Sequence, residues 1–268
     1  MASGNSAMNL ETGVGWTRGL KNALRAELAE WFGTRTWWTQ ILIWASIVNG
    51  MLLIITMTAK QQPGLAARAE GMMVFNLFLG MAAGVGVCII MQSSVVGEKR
   101  SGTAAWVLSK PVSRAAFIVS KLLGNAAGVA VAMVLAQGII GYAIFALVAG
   151  YAPPLLGFIA GLGVHFLYLM FFLTLTLVLG AIFDHPGPVI GIALAFLFLQ
   201  QNLSGMIPAL AHVIPWTLTG PPGDGGPSIA MALMTGSQPA SYLPILTTLA
   251  AVVIFIIVAL RVFEKQEL

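Results

Sequence analysis

Charge is what this sequence has least of. Of its 268 residues only 8% are Asp, Glu, Lys or Arg, whereas 58% are hydrophobic. A soluble domain carries roughly 25% charged residues, so this chain has too little charge to coat a water-facing surface. The mean hydropathy of +0.91 agrees. Cysteine is nearly absent as well. The lone Cys88 sits in an apolar run, which excludes an intrachain disulfide or a multi-cysteine metal site and leaves packing as its expected role. Also missing is any Gly-Lys pair. The phosphate-binding pattern G-x-x-x-x-G-K-[ST] therefore cannot form, and ATP cannot be held by that mechanism. No internal repeat is found. The net charge of +4 does not indicate a nucleic-acid surface, because long stretches hold no basic residue at all.

What is present is a series of apolar runs. A helix crosses the hydrocarbon with about 20 apolar residues. Trp37–Ala59 and Gly71–Gly97 give the first two spans, both uncharged. Leu122–Phe183 is uncharged and long enough for two, broken by the turn cluster Gly150-Tyr151-Ala152-Pro153-Pro154. The third span thus ends near Val148 and the fourth starts near Leu155. Val189–Ile207 gives the fifth and Tyr242–Leu260 the sixth. The expected fold class is all-α, with six transmembrane helices. Residues 1–36 form an N-terminal segment, 37–260 the transmembrane domain and 261–268 a tail. The charged residues before Trp37 argue against a cleaved signal peptide and for a retained anchor. As drawn, the spans contain no Asp, Glu, Lys or Arg, which counts against coupling to protons or sodium.

Of the thirteen basic residues, eleven fall before the first span, between the second and third, or after the sixth, and only Lys60 and Arg68 fall on the opposite side. Lys and Arg accumulate on the cytoplasmic side. Both termini and the second-to-third loop are therefore expected in the cytoplasm, and the membrane is expected to be the inner one.

Trp16, Leu20, Leu24, Leu28 and Trp31 recur at helical spacing. Arg18, Lys21 and Arg25 flank one edge of this stripe, Glu27 and Glu30 the other, and Gly33 is a plausible stop. The pattern predicts an amphipathic helix lying in the membrane interface, its basic edge on anionic lipid and its acidic edge on protein. The stretch Glu98 to Arg114, within a loop at 97–114, predicts a second, short helix. Glu98 would start it, Thr103, Trp106 and Val107 would share a face, Pro111 would end it, and Ser113 would cap the next helix. A tryptophan so placed suits a partner's pocket.

This loop resembles the signature region of type-2 ABC exporter permeases. The matching residues are Glu98, Gly102, Thr103, Trp106, Leu108, Pro111, Val112, Ser113, Arg114 and Lys121. Leu24 to Trp38, with Glu27 and Arg35, is similar to that family's interface helix. The nearest likeness is to the subgroup containing the permease of the nitrous oxide reductase maturation transporter. One departure is Ala105, where many relatives carry a carboxylate. The resemblance implies a non-catalytic subunit that forms a homodimer, with ATP and Mg bound by a separate cytoplasmic ATPase. Glu98, Gly102, Thr103, Trp106, Val107, Pro111 and Arg114 would couple to that ATPase, and Glu27, Glu30, Trp31 and Arg35 would belong to the interface helix.

Other features point less far. His165, His212 and Ser204 invite a protease reading, but the glycine pattern of that class is missing around Ser204. A histidine bonded within the bundle is the expected outcome. Met72-Met73 and Met231 with Met234 are the close methionine pairs; thioethers suit soft metals, yet packing is their ordinary use. Gly80, Gly84, Gly86, Gly124 and Gly128 give small-residue spacing that lets helices approach, within one chain or across a dimer. The Pro- and Gly-rich segment 208–241 is the largest extracytoplasmic element, read as a re-entrant gate, a docking site for an extracytoplasmic partner, or a linker.

Overall fold

The computed structural model describes residues 15–59, 65–222 and 225–266. Glu11, Lys60, Gly223, Asp224 and the last two residues of the tail lie outside the described residues. Runs this apolar leave backbone N–H and C=O groups without water, so they must pair within their own helix. The described residues accordingly form helices and turns, with no strand among them. Six helices are long and apolar enough to cross a membrane: Thr36–Thr58, Arg68–Ser101, Arg114–Val148, Leu155–Ile182, Pro186–Met206 and Leu243–Glu264. The chain is an all-α, multi-pass membrane protein.

The second and third spans run further than their uncharged cores. They are 34 and 35 residues long, which is about 50 Å at 1.5 Å per residue, against about 30 Å of hydrocarbon. Glu98, Lys99 and Arg100 close the second helix, and Arg114 to Lys121 open the third. The expectation of helices free of ionisable groups is corrected here. Charges sit on the extended helix ends, where Lys121 pairs with Glu98 and Glu27 and Lys99 pairs with Asp184. Both described termini lie at this end of the bundle, the proximal end. There the Ser113 N–H donates to the Arg18 carbonyl (2.9 Å) and Arg114 donates to the Glu264 carbonyl (2.7 Å).

The fourth span is the axis of the bundle. Of its apolar window 72% is buried, against 22% for the sixth span, although the sixth has the higher hydropathy. Single neutral polar side chains join neighbours. Asn49 donates to Gln137 Oε1 (2.8 Å), Asn76 Oδ1 meets His165 Nε2 (2.9 Å), and Gln200 donates to the Tyr168 hydroxyl (2.6 Å). In lipid such contacts have no water to compete with them. Gln137 also donates to the carbonyls of Ala132 (2.8 Å) and Ile41 (3.2 Å). Ala132 lies in a π-helical stretch, Ala130–Leu135, whose widened turn frees carbonyls from the usual ladder.

The small residues serve packing within the chain. A Cβ on Gly80 would lie 2.5 Å from Thr219 Oγ1, and one on Gly84 2.6 Å from Leu197 Cδ1. Gly86 seats the Trp44 ring, Gly124 seats Glu27, and Gly128 seats the Trp31 ring. This last pair positions helix α1 (Leu20–Phe32). Rather than crossing the bundle, α1 runs beside the start of the third span in the same chain direction. Gly19 meets Val112, Glu27 meets Gly124, and Trp31 meets Gly128. Leu20, Leu24 and Leu28 are half-buried, while the fully buried positions are Glu27 and Trp31. The inward face is thus turned toward Glu27, and Trp16 is left in an exposed turn before the helix.

Three short helices follow the loop helix α2 (Thr103–Leu108): α3 (Pro208–Ala211), α4 (Trp216–Thr219) and α5 (Ile229–Met234). α4 and α5 are not linker. Trp216 is buried and donates to the Pro221 carbonyl (2.8 Å), and α5 packs on Gly157 and Gly161 of the fourth span. Residues 215–222 and 228–234 therefore pack over the distal end of the bundle.

Gly128→Leu should displace Trp31, because core overpacking costs about 1–3 kcal/mol. The expected result is a lower thermal midpoint in detergent together with faster protease cleavage between α1 and the first span. An unchanged cleavage rate would refute the docking described.

Candidate functional site

The second span ends at Ser101. Gly102 then adopts a left-handed backbone (φ 72) with nothing within 4 Å of where a Cβ would lie. It is glycine for its conformation, not for space. The turn sets α2 off from the span, so Glu98 closes the preceding helix rather than starting this one. The face expected to hold Thr103, Trp106 and Val107 together is split. Ala104 is buried, and Val107 and Leu108 pack against the core. Thr103 and Trp106 point outward, Trp106 being 61% exposed. The Lys110 ammonium sits 3.5 Å from the centre of the indole, a cation–π contact worth about 0.5–1 kcal/mol at an exposed site.

Pro111 follows where α2 has ended. Ser113 caps the third span as expected, its Oγ accepting from the Ala116 N–H (3.0 Å). It also ties in the N-terminal turn, since Ser113 Oγ donates to the Trp16 carbonyl and its N–H donates to the Arg18 carbonyl. Gly19, left-handed at φ 78, brings the chain against Val112, where a Cβ would lie 2.8 Å from a valine methyl. The two segments that the sequence singles out are thereby one unit.

At its centre is Lys121, only 2% exposed at its side chain. Its ammonium binds Glu27 at 2.6 Å and also contacts Glu98. One cation thus faces two carboxylates. Burial holds the Glu27 carboxyl above its ordinary range, against the opposing pull of Lys121. Alongside, Trp31 Nε1 donates to Asn125 Oδ1 (3.2 Å), and Asn125 donates to Ser94 of the second span (3.1 Å). A cavity of about 340 Å³ opens beside this group, with Glu27, Glu30, Trp31, Glu98 and Asn125 in its wall. The acidic edge of α1 is thus divided. Glu27 is spent on Lys121, which corrects the expectation that it meets a partner, and Glu30 is exposed at the cavity. Arg35 is exposed in the break between α1 and the first span.

Two further cations, Lys99 and Arg114, bind helix ends. The Lys99 ammonium pairs with Asp184 (2.6 Å) and donates to the Gly180, Ala181 and Phe183 carbonyls (3.4–3.5 Å). A cation there suits the negative end of the fourth span. The hydrogen bond from Lys99 holds the Asp184 carboxyl below its ordinary range. Arg114 grips the last turn of the sixth span through the Glu264 carbonyl. Gln266 donates to Ala181. Segment 98–121 therefore holds α1, the turn after the fourth span and the end of the sixth.

His165 is bonded to Asn76 inside the bundle, not to Ser204, and His212 is exposed. Asn76 also lies 3.6 Å from the Met234 sulfur. Among the described residues no group of three or more His, Cys, Asp or Glu gathers in a way that could hold a metal. Glu27 as the partner of Lys121 was missed in the sequence, although an acidic residue on the apolar side of an amphipathic helix was the available signal.

Residues 42–268 match the model of the family described as Protein of unknown function (DUF2705). The match covers more than half of the chain, and the chain belongs to that family. No curated protein matches it.

Lys121→Met should leave two carboxylates in the proximal core without their cation. Removing one partner of a buried pair costs about 3–5 kcal/mol, read as a lower unfolding midpoint. Adding Glu27→Gln and Glu98→Gln should restore most of it. If the single variant unfolds like the parent, the ion group contributes nothing. A separate check uses pH. Because the carboxyl of Glu27 is raised above its ordinary 4.5, the folded chain takes up a proton more readily than the unfolded chain. Its contribution to stability is complete below pH 4.5 and is lost as pH rises through the folded value. Glu27→Gln should flatten the melting profile just above pH 4.5, and an identical slope in both proteins would contradict the shift.

Proposed function

We propose that this family member is the membrane-spanning permease subunit of an ABC transporter, driven by a separate cytoplasmic ATPase. The observation that carries this reading is the outward-facing Trp106. It stands on a short helix that turns off the second span at Gly102, and the adjoining residues 98–121 grip α1 and the ends of the fourth and sixth spans. An aromatic anchor of this kind fits a pocket in a partner. A push on α2 reaches the spans through packing at Ala104, Val107 and Leu108 and through charge-assisted bonds, with little slack. The likeness of Glu98 to Arg114 to the type-2 exporter loop points the same way.

In this reading the proximal end is cytoplasmic and the membrane is the inner one, in keeping with eleven basic residues there against two at the distal end. The chain lacks the Gly-Lys pair that the common phosphate-binding loop needs. ATP and Mg belong to the partner, and this subunit is not an enzyme. A second copy completes the path, and the substrate crosses by alternating access as bundles rock against each other.

The packed distal segment supports a second reading. α4 and α5 rest on the fourth span, which is the buried axis. Motion imposed at the proximal end could pass along that axis to an extracytoplasmic partner without any substrate being conducted.

Trp106→Glu tests the shared premise. Pull-down of the tagged chain from its native membrane should recover an ATPase subunit, and the variant should recover at least tenfold less while still folding. Equal recovery, or no ATPase with either form, would overturn the proposal. Vesicles holding the complex then divide the two readings. ATP-dependent movement of solute supports the permease, and ATP turnover without movement supports mechanical coupling.

A further inference from the structure

The ion group on α1 has a consequence for the face of that helix turned away from the bundle. Glu27, the carboxylate nearest the centre of the helix, is turned inward to Lys121. Outward lie Arg18, in the turn before the helix, then Lys21, Asn22, Arg25, Ala26 and Ala29, all exposed. Lys21 and Arg25 are four residues apart on α1, which at about 100° per residue sets them within one narrow sector, and Arg18 precedes them in the turn ahead of the left-handed Gly19. None of the three makes an ion pair or a side-chain hydrogen bond among the described residues. The stripe is cationic and has no ionic partner among the described residues.

We infer that this stripe binds the anionic headgroups of phospholipids. The charge is complementary, and the surroundings favour lipid over an acidic protein. Toward the first span the exposed large apolar side chains are Phe32, Trp37 and Trp38, at 39%, 39% and 43% exposure, with the exposed Glu30 on the cavity side and Arg35 in the break between them. Aromatic rings at the start of a span mark headgroup depth. Arg25 lies about 10 Å along the helix from Phe32 and Lys21 about 16 Å, at 1.5 Å per residue. Long basic side chains can reach several ångströms toward an interface, which brings Arg25 within about a Debye length of it and Lys21 to its edge. The centre of the stripe has only Ala26 and Ala29 between its charges. It offers no buried anchor of the kind that concentrates affinity in a protein interface, whereas α2 does offer one. Bound headgroups would also hold α1 in place against the third span. Lipid composition would then act on the proximal end through Glu27 and Lys121. This inference is independent of the ATPase partner.

The test uses the full chain reconstituted in nanodiscs of equal phosphatidylglycerol and phosphatidylcholine, released into detergent and analysed by native mass spectrometry. The parent should retain phosphatidylglycerol in preference. Arg18→Gln, Lys21→Gln and Arg25→Gln together should remove the preference, at about fivefold per charge. Arg100→Gln with Lys110→Gln, which removes two exposed charges elsewhere at the same end, should not. In detergent without added phospholipid the triple variant should melt like the parent. The inference is overturned if the triple variant keeps its preference or if the loop variant loses it equally. It is equally overturned if the triple variant leaves lipid retention unchanged while releasing a copurifying protein.

Discussion

One ammonium group in a nearly dry position organises the proximal end. Lys121 could not be buried alone, since an unpaired charge in a low dielectric is too costly to keep. It therefore requires a carboxylate from outside its own helix, and it has two: Glu27 from the N-terminal helix and Glu98 from the second span. Much of the remaining arrangement follows from satisfying it. α1 must lie beside the third span, the second and third spans must extend together past the hydrocarbon, and residues 113–128 must offer glycine where α1 comes closest. Bonds of this kind are sensitive to geometry. They resist sliding in a way that apolar contacts in lipid, which exchange one hydrocarbon surface for another, do not.

Much of the fold could be read in the residues. The six apolar runs, the break at Gly150–Pro154, the cap at Ser113 and the stop at Pro111 are local signals, and local physics decides them. The position of α1 was not legible. Helical spacing shows that one face is apolar but not what that face meets, and a membrane surface and a neighbouring helix demand nearly the same pattern. The discriminating sign was Glu27, a carboxylate too close to the apolar stripe for lipid. The centrality of the fourth span was hidden for a related reason. Its apolar side chains cover all its faces, and lipid and protein interiors select such residues alike.

The candidate site was legible in part. Gly102, Trp106, Pro111 and Ser113 do what their types suggest, because turn conformation, exposure of a ring on a short helix, and capping are set nearby in sequence. Val107 and Arg114 do not, because their partners are remote: the core for one, the Glu264 carbonyl for the other. Glu98 lies on the opposite side of the break from α2, since the left-handed turn at Gly102 comes four residues later than a helix starting at Glu98 would allow.

The seat of Trp31 has a mechanical meaning. Its indole lies where Gly128 has no side chain, and its N–H is held by Asn125 one turn away. A ring so lodged acts as a key in a slot. α1 cannot roll about its axis or creep along the third span without first lifting away from it. With Lys121 fastening the same pair of helices a turn further down, two fixed points define a line. Whatever turns α1 must turn the third span with it, as one lever.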